Sequence, residues 1–171
     1  HIYVKILEGY IGGYEMTSVN VEHINPFLMA STKILKEMCF VDAKLGRPYI
    51  KDPVFLDNTL VIFIGFTGEM KGQVMIAFEN KIACDIASKM MMMPVVEMDD
   101  ISRSAICELG NMIMGNTATI FSTKGIAIDI TPPTVGNGTM SFTNNFAQNI
   151  CVPLEYDGGK RIEINIAIKG D

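Results

Sequence analysis

Glu108 and Asn111 stand one helical turn apart within Asp99–Lys124, a stretch whose apolar residues recur at helical spacing. At about 100° per residue, with Glu108 set to zero, Ser104, Asn111, Gly115 and Thr119 fall between about −60° and +20°. Ile106, Leu109, Ile113 and Ile120 fall between about 100° and 160°, the side suited to a core. The carboxylate and the carboxamide therefore share one face among short side chains. Any exposed helix face can carry a Glu and an Asn, and patterning alone goes no further. Asn and Gly, however, are poor helix-interior residues, Gly by about 1 kcal/mol relative to Ala. Gly110, near 200°, suits close packing of a helix on a sheet. Gly115 lies on the polar stripe, where no core contact accounts for it and where the backbone of a partner could come close.

The rest of the chain offers little for nucleophilic or metal chemistry. His1 and His23 are the only histidines, which argues against a His-based triad or a zinc site. Cys39, Cys84, Cys107 and Cys151 form no CxxC pair and have apolar neighbours, so they read as buried free thiols in a reducing compartment. Met90–Met93 cannot all share one helical face, and read as core and helix-end filling rather than as a copper site. No set of hard or soft ligands stands out, so the chain is expected to bind no metal. A net charge of −5 with no Lys/Arg run and no basic–aromatic alternation disfavours nucleic acid. Hydrophobic residues make up 49% and charged residues 19%, which disfavours disorder. The longest apolar stretch, Leu60–Phe66, is too short to cross a bilayer, and nothing at the front reads as a signal peptide.

Several elements must position the Glu108/Asn111 stripe. Val21–Met38 has helical spacing, residues 40–58 suit loops around one short strand, and Thr59–Thr67 with Gly72–Phe78 form a hairpin. Glu79–Met92 is a second helix, stopped by Pro94. The long helix starts near Asp99-Asp100, whose carboxylates suit a helix N-terminus, and ends at Lys124-Gly125. Ile126–Ile130 reads as a buried strand ended by Pro132-Pro133. Asn149–Tyr156 and Arg161–Ile168 form a second hairpin, whose last strand alternates isoleucines with Glu163, Asn165 and Ala167. This order predicts an α+β fold, helices packed on a largely antiparallel sheet. Each half offers a helix, a proline break and strands, a hint of duplication. Residues 1–15 read as a tag or upstream extension, and residues 16–171 as a single domain.

Ser104, Glu108 and Asn111 form the pattern Asp/Ser-xxx-Glu-xx-Asn, with Pro133 following after twenty-one intervening residues and Pro132 after twenty. Together with Asp129–Val135 and the turn Thr67–Gly72, this resembles the CheC/CheX/FliY chemotaxis phosphatase family, and CheX proteins most. The resemblance implies a CheC-like fold and a phosphatase acting on the phosphoaspartate of a CheY-like receiver domain. In that family the amide of Asn111 would orient the attacking water and Glu108 would pair with the active-site Lys of the receiver. Ser104, Met112, Gly115 and Thr119 would contact that partner. An amide suits this role because it donates and accepts while uncharged, whereas a carboxylate would repel the phosphoryl oxygens. The chain itself would bind no cofactor, with Mg²⁺ held by the receiver. A cytoplasmic homodimer is implied, pairing through the edge of the last strand. The alternative is a non-catalytic binding or scaffold domain related to the flagellar switch proteins FliM and FliY.

Ser18, Glu22, Asn25 and Pro48 match the same pattern a second time. Asn25-Pro26 reads more naturally as a helix start, with Asn as cap and Pro in the first turn. Met29 occupies the position corresponding to Gly115. One functional site per chain is therefore expected.

Overall fold

A computed structural model describes the backbone of Tyr10–Ile11 and Tyr14–Glu15, and residues 21–141 and 148–169. The described residues form three helices: α1 (Val21–Cys39), α2 (Asn80–Met91) and α3 (Asp100–Thr123). Strands β1 (Tyr10–Ile11) and β2 (Tyr14–Glu15) pair with each other. The main strands are β6 (Thr59–Gly68), β7 (Gly72–Glu79), β11 (Asn149–Tyr156) and β12 (Lys160–Ile168). Short strands are β3 (Lys44–Leu45), β4 (Tyr49–Ile50), β5 (Val54–Phe55), β8 (Ile128–Ile130), β9 (Thr134–Asn137) and β10 (Met140–Ser141).

An eight-stranded antiparallel sheet has the order β3-β11-β12-β7-β6-β8, with β4 also on β11 and β9 also on β6. The register sets Val152, Ile164, Ile76, Ile62 and Val135 in one row across it. Alternation in the four long strands turns Leu60, Ile62, Ile64, Val74, Ile76, Val152, Ile162 and Ile164 to one face, where they join residues of all three helices in the main core. The opposite face carries a smaller cluster of Phe55, Val61, Met75 and Ala77. The hint of duplication has a counterpart here. Each half supplies a helix, short strands and a long hairpin; β3 and β4 pair with β11, β8 and β9 pair with β6, and β5 and β10 pair with each other. The expected α+β fold is the one observed.

Several expectations need correction. The last strand is not an edge: β12 is hydrogen-bonded to β11 on one side and β7 on the other, so two chains cannot pair through it. Its second face, which carries Glu163, Asn165 and Ala167, is largely covered. Asn165 and Ala167 are fully buried, and Asn165 accepts from Asn149 Nδ2 at 3.1 Å while donating to the Met75 carbonyl at 3.2 Å. Alternation reports two faces but not what covers them. The strand placed at Ile126–Ile130 shortens to β8, which is an outer strand, half-buried and exposed by turns. Residues 40–58 hold three two-residue strands, not one. Cys84 and Cys107 are only half-buried, and Met92 and Met93 are exposed.

The Asn-Pro helix start is also overturned. α1 begins at Val21 and runs through Pro26. A proline inside a helix costs about 3 kcal/mol through a lost hydrogen bond and a backbone clash. Ile24, Phe27 and Leu28, each at most 1% exposed, contribute about 1.5–3 kcal/mol apiece by burial, which outweighs that cost.

Candidate functional site

α3 is held in place at both ends and along its inner face. Asp99 caps its start: the Ser102 N–H donates to Asp99 Oδ1 at 2.8 Å, and the Asp99 N–H donates to Ser102 Oγ at 2.8 Å. The hydrogen bond from the Ser102 N–H holds the Asp99 carboxyl below its ordinary value. At the other end Gly125 takes the left-handed conformation, φ +79. Ile106, Leu109, Ile113, Met114 and Phe121 are at most 2% exposed and belong to the main core, Phe121 lying edge-on to Phe27 of α1. Gly110 belongs to this inner face: a Cβ there would lie 3.0 Å from Ile62 Cγ2 and 3.4 Å from Ile64 Cδ1. Close helix-on-sheet packing is thus the reason for Gly110.

The outward stripe is as the spacing predicts. Ser104, Glu108 and Thr119 are exposed, and Asn111 and Gly115 half-buried. The Thr119 hydroxyl donates to the Gly115 carbonyl at 3.1 Å, so it is partly committed to its own helix. Met112 is half-buried and packs against the main core, which leaves only part of it for a partner. A Cβ on Gly115 would meet nothing within 4 Å among the described residues, so no contact with them demands a glycine there. Glu108 and Asn111 make no hydrogen bond or ion pair among the described residues.

Beside this stripe runs a groove of about 530 Å³ lined by Asp100, Arg103, Ser104, Cys107, Glu108, Asn111, Pro133 and Val135. Its far wall is the β8–β9 connection, and Thr131 fixes it: the Thr131 N–H donates to the Gly65 carbonyl at 2.9 Å, and the Gly65 N–H donates to Thr131 Oγ1 at 2.9 Å. Val135 is registered opposite Ile62 on β6. The proline that follows the Glu-xx-Asn pair in sequence therefore stands across the groove from it. Sequence reasoning missed Asp100, Arg103 and Cys107 as lining residues. Their helical spacing with Ser104 and Asn111 was the available signal. Burial pushes the Cys107 thiol up, with the nearby Arg103 charge opposing it, so the sulfur is a neutral thiol near neutral pH. Among the described residues no three His, Cys, Asp or Glu side chains gather as a metal would require.

The N-terminal match does not assemble a comparable face. Glu22 is exposed, whereas Asn25 is 8% exposed and its Oδ1 is buried without a hydrogen-bond partner among the described residues. Phe27 and Leu28 point into the core and Pro48 is buried. Ser18 lies outside the described residues.

Known proteins are similar to this chain over most of its length. CheY-P phosphatase CheX of Thermotoga maritima is 27% identical over 147 residues, covering 85% of this chain and 95% of its own. A CheC-like superfamily protein from Shewanella sp. PV-4 superposes with TM-score 0.79 at 29% identity, covering 89% of this chain and 100% of its own. CheX in the CheX–CheY–BeF3–Mg²⁺ complex from Borrelia burgdorferi superposes with TM-score 0.73 at 31% identity, covering 86% of this chain and 97% of its own. The family model Chemotaxis phosphatase CheX matches residues 60–155, from the start of β6 to the end of β11 and thus through the whole of α3 and the groove. By that match over more than half its length, the chain belongs to the chemotaxis phosphatase CheX family.

Proposed function

We propose that this chain hydrolyses the phosphoaspartate of a CheY-like receiver domain. Asn111 orients the water that attacks phosphorus, the bond from phosphorus to the aspartyl oxygen breaks, and inorganic phosphate and a free aspartate carboxylate are released. Glu108 pairs with the active-site Lys of the receiver and fixes the approach. The receiver brings the Mg²⁺ and the acyl phosphate, so the contribution of this chain is position rather than a nucleophile. Ser104, Gly115 and Thr119 border the docking face, with the exposed part of Met112.

The single observation that carries this reading is the pairing of Glu108 and Asn111 on one accessible face, neither committed to another residue, beside a groove walled by Pro133. The partner and reaction follow from what the relatives are: a CheY-P phosphatase in one case and one half of a CheX–CheY complex in another. The reaction belongs in the cytoplasm, with residues 16–171 acting as one domain. No helix among the described residues is long and apolar enough to cross a membrane.

The test is to mix the chain with a phosphorylated CheY-like receiver and time phosphate loss against the receiver alone. Loss should accelerate in proportion to the amount of chain added. Tight binding without acceleration would overturn the reading in favour of a scaffold role.

A further inference from the structure

Arg103 is not used by the water-positioning chemistry, yet it lines the same groove as Ser104, Cys107 and Asn111. Its Nε is buried without a hydrogen-bond partner among the described residues, whereas its two terminal nitrogens are not so buried, so a partner would meet the terminal end of the fork. Lys44, Lys51, Lys89, Lys160 and Arg161 each sit within 4.0 Å of a carboxylate. Arg103 has no such ion pair among the described residues; the other described Lys and Arg side chains without one are exposed, whereas Arg103 is half-buried. It also lies in the first turn of α3, where the helix dipole disfavours a cation. Asp99 and Asp100, four and three residues before it, offset that cost, but neither closes an ion pair with it, so local pairing does not account for the charge.

We propose that Arg103 is a specificity-determining docking residue that pairs with a carboxylate on the receiver, outside the phosphorylated centre. This rests on the phosphatase reading above. Eight residues separate Arg103 from Asn111, a rise of about 12 Å along the helix. With Asn111 at the phosphoryl group, Arg103 therefore meets the receiver beyond its reacting atoms. The planar fork of a guanidinium matches a carboxylate with two parallel hydrogen bonds, which selects for position as well as charge. On a chain of net charge −5, one unpaired cation beside the docking face also steers an acidic patch toward it.

The experiment measures steady-state dephosphorylation over a range of receiver concentrations. It also measures binding of the BeF3⁻/Mg²⁺-loaded receiver at low and moderate salt. Arg103→Ala should raise KM and Kd by about tenfold with kcat within twofold, and should flatten the salt dependence. Arg103→Glu should be worse, and a single Asp or Glu to Lys change on the receiver should rescue it. Unchanged KM and Kd in Arg103→Ala would overturn the proposal. So would a fall in kcat at unchanged KM, which would place the guanidinium on the phosphoryl group. If the unaltered chain fails to accelerate phosphate loss at all, the phosphatase reading fails instead, whatever Arg103 does to binding.

Discussion

Glu108 and Asn111 differ in what their loss should cost, because one holds the partner and the other holds the water. Glu108→Ala removes a docking charge, so both the affinity for the receiver and the rate should fall. Measuring KM and kcat together checks this, and an effect on kcat alone would contradict the docking role. Asn111→Asp keeps the shape of the side chain but replaces the donating NH₂ with a second acceptor oxygen and adds a negative charge. It should lose at least as much rate as Asn111→Ala, by repulsion from the phosphoryl oxygens. Activity near normal in Asn111→Asp would mean that the amide donor is not needed. Both positions were legible in the sequence because they lie on one helix, where spacing alone decides which side chains share a face. Arg103 was missed for a physical reason: whether a cation near a helix start is paired depends on contacts that spacing does not report.

At the scale of elements, the two glycines of α3 separate packing from function. Gly110→Val would drive an isopropyl group into Ile62 and Ile64, and should destabilise the chain by about 1–3 kcal/mol, read by thermal melting. Gly115→Ala meets nothing among the described residues and removes a helix penalty of about 1 kcal/mol. It should raise the Tm by about 2–4 °C while weakening receiver binding, since the added methyl stands on the docking face. Equal or tighter binding would show that no partner backbone comes close there. Two carboxylates tie elements together. On Asp85, burial pushes the pKa up, but a 2.8 Å hydrogen bond from Tyr156, Lys160 at 3.2 Å and the charge of Lys89 outweigh it and hold it low. On Glu163, burial is likewise outweighed by Lys51, Tyr49 and Arg161. Depressed folded-state values mean stability that is fully present above the ordinary values of 3.8 and 4.5. It is lost as pH falls through the lower folded ones. Melting temperatures should therefore drop on acidification from about pH 5, and less steeply in Asp85→Asn. The helices and the two long hairpins were legible because their signals are local. β8 was legible as a strand but not in its length, and β9 and most of the short strands of 40–58 were not legible, since two to four residues carry no period of their own and form only where another strand offers an edge.

For the whole molecule, the central position of β12 changes how two chains could associate. The outer strands are β3 and β4 at one end of the sheet and β8 and β9 at the other. Pro133 and Val135 place the second end against the groove, so pairing there would crowd the receiver. We expect a homodimer joined through the β3/β4 end, and sedimentation at micromolar concentration checks it: a single monomeric species would contradict it. Sequence alternation in β12 suggested an edge because it describes the faces of a strand, whereas its neighbours are set by pairing with β7, far away along the chain. The central claim, that one amide positions one water, is tested most directly by Asn111→Ala. Its rate of phosphate release from the phosphorylated receiver should be measured at saturating chain, alongside its affinity for the BeF3⁻/Mg²⁺-loaded receiver. The account predicts a loss of about 10²-fold or more in rate with affinity within about threefold of the unaltered chain. A rate within a few-fold of the unaltered chain, with binding intact, would contradict it.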